Sequence, residues 1–231
     1  MGYKLFKADG VMNPAMVAIK NHIEIVDEGK SFCIDSNHQH YDKMKNDVAR
    51  ETRSARFVNI ALPISDHDDG SSHPSIISIC ATHLHHTENL HGMSMRGVRL
   101  GEVRSILEKR PAEIQGRVPI TIIATDFNGP RITRDYNEKE RLLISESLET
   151  IVKEPVSDGV AEELEQHGFI ATYDLIPPEK KPVFTHWTST VIDFGYVWAE
   201  RPQDWSVSSV EVVPSGLSDH LPIVHNLIIH R

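Results

Sequence analysis

Cysteine is nearly missing: Cys33 and Cys80 are the two in 231 residues, too few for a disulfide framework and in keeping with a reducing compartment. Long apolar runs are missing as well, and no stretch approaches the roughly 20 residues that span a bilayer, which argues against stable membrane insertion. The opening Met-Gly-Tyr-Lys-Leu-Phe-Lys has no apolar segment followed by small residues and does not read as a secretory signal. A cytoplasmic location is the default expectation. Positive charge is also in deficit: a formal net charge of −9 argues against a broad basic surface that coats nucleic acid by displacing counterions. It leaves a nuclease open, because a bound divalent cation supplies positive charge beside a scissile phosphate while its acidic ligands add to the negative total. Internal repeats and low-complexity tracts are not found, and the Pro/Gly clusters are short enough to be turns rather than linkers between domains.

What is present fits one α/β domain spanning residues 1–231. The hydrophobic fraction of 39% and charged fraction of 25% are those of an ordinary globular protein, and two half-size domains would each bury too little surface. Strands are expected over Met16 to Asn21, Arg56 to Ile64, Ser75 to Leu84, Pro119 to Phe127, Val191 to Trp198, Val207 to Val213 and Leu221 to Ile229, from β-branched density bounded by turn residues. Helices are expected over Ser94 to Arg110, stopped by Pro111, over Glu138 to Lys153, and over Val160 to His167, closed by Gly168. Ser65 to Pro74, rich in Asp, Gly, Ser and His, reads as a loop. The alternation predicts mixed sheets covered by helices.

Chemistry-bearing residues collect where these strands end. In Pro119-Ile-Thr-Ile-Ile-Ala-Thr-Asp-Phe-Asn-Gly-Pro130 an apolar strand turns abruptly polar, and a period of two puts Asp126 and Asn128 on one face. Such a pair suits a Mg²⁺-bound phosphate and its attacking water, although an Asp/Asn turn after a core strand is the simpler account of this fragment alone. Asp193 interrupts a core strand and, once buried, needs a partner, catalytic or structural. Asp219 and His220 stand just before the last strand; with Ser218 they cannot form a serine-hydrolase triad, because adjacent side chains diverge in extended backbone. His83 closes the strand that begins at Ser75, where a polar cap would be the ordinary role.

The ordered series Thr82-His83-Leu84, Thr125-Asp126-Phe127-Asn128, Ile192-Asp193-Phe194 and Ser218-Asp219-His220-Leu221-Pro222 closely resembles the endonuclease/exonuclease/phosphatase, or deoxyribonuclease I-like, family. Thr125 stands where the family usually has Gly. The resemblance implies a four-layer α/β sandwich of two mixed β-sheets flanked by helices. It also implies a Mg²⁺-dependent phosphoric ester hydrolase, with Mn²⁺ as a possible substitute, acting as a phosphodiesterase or nuclease by activated-water attack. By matching position, Asp126 and Asn128 would orient water and phosphate, Asp219 would hold the ion, His220 paired with Asp193 would stabilise the pentavalent phosphate or move a proton, and His83 would bond a phosphate oxygen. Arg53 is similar to a phosphate-contacting arginine of deoxyribonuclease-like members; with Arg50 and Arg56 near it, a solvated basic face is the alternative.

One departure matters. The family's early strand with an Asn, and the next with a Gln-Glu pair whose glutamate binds the metal, have no counterpart before Met16-Val-Ala-Ile-Lys-Asn21. The chain is therefore expected to be truncated at its N-terminus, to leave a sheet edge exposed and the ion under-coordinated, and to be weakly active or inactive as it stands. Two rival readings follow. A catalytically impaired member would keep the fold as a binding module. A zinc hydrolase would use His83 and His85 in Thr82-His-Leu-His-His-Thr-Glu-Asn89, a run that resembles the zinc motif of metallo-β-lactamase-like enzymes. Nucleic acid, nucleotide and phospholipid or inositol phosphate all remain as substrates. Arg131, Arg134, Tyr136 and Trp187 are candidate contacts or merely exposed and packing residues, and no oligomeric state follows from the sequence.

Overall fold

The isoleucine- and valine-rich runs become strands of one large sheet. The computed structural model describes residues 2–8, 15–34, 53–62, 74–85, 89–90, 93–94, 96–131, 138, 159–182, 185–186, 191–213, 216, 218 and 220–230. In chain order they form β1 (Tyr3–Lys7), β2 (Met16–Lys20), β3 (Glu24–Asp27), β4 (Ser31–Cys33), β5 (Ser54–Leu62) and β6 (Ser75–His83). The short β7 (Asn89–Leu90) and β8 (Met93–Ser94) lead into α1 (Arg96–Lys109) and β9 (Ile120–Arg131), followed by α2 (Val160–Gln166) and β10 (Ile170–Ala171). The chain closes with β11 (Val191–Trp198), β12 (Trp205–Val212) and β13 (Ile223–Ile229). The helix expected over 138–153 and the loop expected over 65–74 fall outside the described residues, save Glu138 and Pro74. Among the described residues no helix is long and apolar enough to cross a membrane.

The large sheet has seven strands in the order β10-β11-β9-β6-β5-β3, with β4 also paired to β5. Among the described strands of this sheet β6 and β9 run parallel and the other pairings are antiparallel. β5, β6 and β9 are central because they are apolar on both faces. On one face Phe57, Cys80, Ile123, Phe127, Phe194 and Tyr196 pack against Val103 and Ile106 of α1 and Val160 and Leu164 of α2. On the other, Val58, Ile60, Ile77, Ala81, Ile120 and Val197 meet Phe6, Val17 and Ile19 of the β1–β2 hairpin and Trp205 of the β12–β13 hairpin. Each fully buried Ile, Val or Phe contributes on the order of 1.5–3 kcal/mol, so residues on both faces hold the layers together. The layer opposite the helices consists of two separate two-stranded units among the described strands, β1–β2 and β12–β13. The architecture is an α/β sandwich built on mixed sheet, as the sequence implies.

Local chemistry sets the element ends. α1 is followed by Pro111, which has no N–H to continue the ladder. α2 ends at Gly168, whose φ of +80° suits the position after a helix C-cap; its N–H bonds Glu165 O at 2.9 Å while Phe169 N–H returns to Leu164 O at 3.0 Å. Gly29, between β3 and β4, has a φ of +59° and lies so close to β5 that a Cβ there would be 2.1 Å from Phe57 O. Only glycine lets both short strands dock on β5.

Candidate functional site

The registers of three central strands bring three of the expected residues into one row. His83 on β6 is the register partner of Asp126 on the parallel β9, and Asp126 is the partner of Asp193 on the antiparallel β11. Residues an even number of positions away on these strands, such as Ala81, two before His83, and Val197, four after Asp193, belong to the core facing the hairpins. The row thus lies on that same face, at one end of the sheet, where the apolar alternation gives way to polar side chains. A register irregularity between Val191 and Asp193 marks the place where β11 enters the pairing. Such bulges re-aim side chains.

His83 Nε2 is 3.2 Å from Asp126 Oδ2, and His220 Nε2 reaches the same oxygen at 3.5 Å. On its other side His220 Nδ1 lies 3.1 and 3.2 Å from the two oxygens of Asp193. A carboxylate only accepts, so Nδ1 carries a proton and donates it to Asp193. His220 is itself turned into place by the Ser218 hydroxyl, which accepts its N–H at 3.1 Å. Burial raises the Asp193 carboxyl above the usual range; the hydrogen bond from His220 pulls it down again, the charge of Asp126 pushes it up, and a bond from Thr185 lowers it. The arrangement is a histidine held between two carboxylates, with a second histidine on the outer one.

The Asp-x-Asn spacing has a local origin. Asn128 takes a φ of +50°, a left-handed conformation asparagine tolerates, and its N–H donates to Asp126 Oδ1 at 2.7 Å. Its side-chain nitrogen donates to Leu84 O at 2.8 Å, so that nitrogen secures the segment after His83 and the amide oxygen is what Asn128 can offer a ligand. Leu84 N–H in turn bonds Asp126 O at 3.2 Å. His85 points elsewhere: its ring bonds Glu102 of α1, its N–H donates to the same carboxylate at 3.1 Å, and its side chain is 8% exposed. His83 and His85 therefore do not form a ligand pair.

Arg53 directly precedes β5, at the sheet end that carries His83, and is 3% exposed. It is not part of a solvated basic face. Arg56 is spent on the carbonyls of Lys7, Glu28 and Gly29. Asp219, Trp187, Arg134, Tyr136 and Arg50 fall outside the described residues, and Arg131 ends β9.

Asp126, Asp193 and His220 each offer one ligand atom within 4.8 Å of the others. Two carboxylate oxygens suit a hard divalent ion, and an imidazole nitrogen suits Mn²⁺ or Zn²⁺ better than Mg²⁺. The donor set is compatible with an ion. Sequence reasoning missed three residues that hold the site: Thr185, whose hydroxyl accepts the Asp193 N–H at 3.2 Å; Tyr173, whose hydroxyl donates to Asp193 O at 3.0 Å; and His186, whose ring meets that of His220 edge-on at 4.6 Å. The polar Thr185-His186 pair just ahead of Asp193 was the available signal.

No protein-family model matches the sequence, and no curated protein matches it. Solved structures do match in shape. The human Nocturnin catalytic domain with bound sulfate is 15% identical, at a TM-score of 0.61, covering 99% of this chain and 73% of that one. A mannosyl-6-phosphatase of Bacteroides thetaiotaomicron is 13% identical, at 0.60, covering 99% and 78%. An endonuclease/exonuclease/phosphatase family protein of the same organism is 14% identical, at 0.58, covering 98% and 73%. The chain has the deoxyribonuclease I-like fold that its motifs resemble.

Proposed function

We propose that this protein is a divalent-metal-dependent hydrolase of phosphoester bonds, acting by direct attack of water on phosphorus. The observation that carries this is the contact chain from His83 through Asp126 and His220 to Asp193, in a fold whose matched structures include a sugar-phosphate phosphatase and a domain holding sulfate, an anion shaped like phosphate. Asp126 accepts the proton of the attacking water as the new P–O bond forms. His220, fixed by Asp193 and protonated on Nε2 in the transition state, donates to a non-bridging phosphoryl oxygen where negative charge grows; His83 donates to another. The bond to the leaving oxygen breaks, and that oxygen takes its proton from solvent. Asn128 keeps Asp126 aimed through its own N–H, and Arg53 adds positive charge at this end of the sheet.

A bound ion would supply positive charge beside the phosphate oxygens, and Asp219 would help hold it. Mg²⁺ is the expected species and Mn²⁺ its substitute. A nucleic acid, a nucleotide and an inositol phosphate all present the group that this row can handle. The test is Mg²⁺-dependent hydrolysis of bis-para-nitrophenyl phosphate by the chain, beside Asp126→Ala and His220→Ala. We expect turnover, weak as the under-coordinated ion would make it, that stops with EDTA, returns with Mg²⁺ and falls by about 10²–10⁴-fold in each variant. No ion binding by calorimetry together with no cleavage of phosphodiesters or phosphomonoesters contradicts the proposal and favours a binding module.

A further inference from the structure

We infer that Thr185 is a positioning residue of this site, orienting the Asp193–His220 pair through its hydroxyl; the inference rests on the hydrolytic reading above. Thr185 is fully buried, at 0% exposure, and its hydroxyl and carbonyl bond a member of the pair and a residue next to one. Its hydroxyl oxygen accepts the Asp193 N–H at 3.2 Å, and its carbonyl accepts the Leu221 N–H at 2.8 Å, one residue past His220. The next residue, His186, forms a backbone bridge to His220 and lays its ring against the His220 ring at 4.6 Å. Residues 185–186 thus hold both members of the pair: β11 through Asp193, and the approach to β13 through Leu221 and His220.

The hydroxyl has one proton to give. Since its oxygen accepts from the Asp193 amide and its side chain also bonds the Asp193 carboxylate, that proton goes to the carboxylate, which accepts only. A chain results in which Thr185 donates to Asp193 and His220 Nδ1 donates to Asp193 from the other side. Without the hydroxyl, the buried carboxylate can rotate and His220 Nε2 loses its fixed direction toward Asp126. A valine fills the same space, so the loss would be one of orientation, not of packing.

The experiment compares the chain with Thr185→Val and Thr185→Ser, each confirmed folded by near-ultraviolet circular dichroism. The readouts are kcat and KM for bis-para-nitrophenyl phosphate and the Nδ1–H proton resonance of His220 in ¹⁵N-histidine-labelled protein. The inference predicts that valine lowers kcat by about 10–100-fold with KM little changed, and shifts or broadens that resonance. Serine restores both. A kcat and a resonance unchanged in Thr185→Val overturn it, as does a kcat loss that serine fails to restore in a folded variant. If the parent protein hydrolyses nothing while the resonance still responds to valine and returns with serine, the hydrolytic reading fails and the positioning of His220 by Thr185 stands.

Discussion

The partners of the Asp126 carboxylate and carbonyl include the Asn128 N–H, two imidazoles and the Leu84 N–H. His83, Asp126, Asn128, Asp193 and His220 were legible because they stand in or beside the ends of apolar strands in an order that resembles one family's motifs, although each alone has an ordinary structural account. Tyr173 was not, because a hydroxyl that bonds a strand 20 residues away leaves no spacing to read, and Thr185 offered no more than the polar pair it forms with His186. His225 was equally hidden. The Thr172 hydroxyl donates to Gly195 O at 3.1 Å and so accepts from His225 Nδ1 at 2.9 Å, while the ring stacks on Tyr173 at 5.7 Å. Burial pushes the His225 imidazole down to about 4. Unfolded histidine titrates near 6.5, so between these values the unfolded chain binds the proton that the folded one refuses. This contribution is complete above about pH 7 and is lost as pH falls toward 4, up to about 3 kcal/mol. Urea unfolding at pH 7 and 4.5 should therefore show a steeper acid loss in the parent than in His225→Gln; equal losses would contradict the assignment.

At the scale of the element, α1 shows where periodicity misleads. Its apolar positions Val98, Val103 and Ile106 are buried as expected, yet Arg99 and Glu102 are buried with them, at 2% and 1% exposure. Their partner is His85: Glu102 takes its ring and its N–H, and Arg99 donates to its carbonyl at 3.3 Å. Charged residues on a helix ordinarily mark the wet side, and only the tertiary structure reveals that these two face a loop end. Removing Glu102 would leave the His85 ring and N–H without their carboxylate in the interior. Glu102→Ala is expected to cost about 3–5 kcal/mol, read as a lower urea midpoint, and a loss below about 1 kcal/mol would refute the role. Gly29→Ala should also destabilise, since a Cβ 2.1 Å from Phe57 O forces β3 and β4 away from β5. Strand boundaries were read to within a few residues for β2, β5, β6, β9 and β11–β13, whereas β1, β3, β4, β7, β8 and β10 went unread because they are short.

On the scale of the whole molecule, the described residues place one large sheet between two helices and two hairpins, and the residues of the site stand at strand ends on the face toward the hairpins. The fold class was legible because strands buried on both faces read as near-continuous apolar runs, and the division of the hairpin layer into two units was not, because pairing partners leave no mark on composition. The central claim is that Asp126 and His220, 94 residues apart in sequence but 3.5 Å apart in space, act as one hydrolytic unit. The most direct measurement is a double-mutant cycle on Mg²⁺-dependent hydrolysis of bis-para-nitrophenyl phosphate with Asp126→Ala, His220→Ala and the pair combined. The account predicts that the double variant is about as slow as the worse single one, since members of a catalytic unit are not additive. Losses that multiply, or either single variant at parental activity, would contradict it.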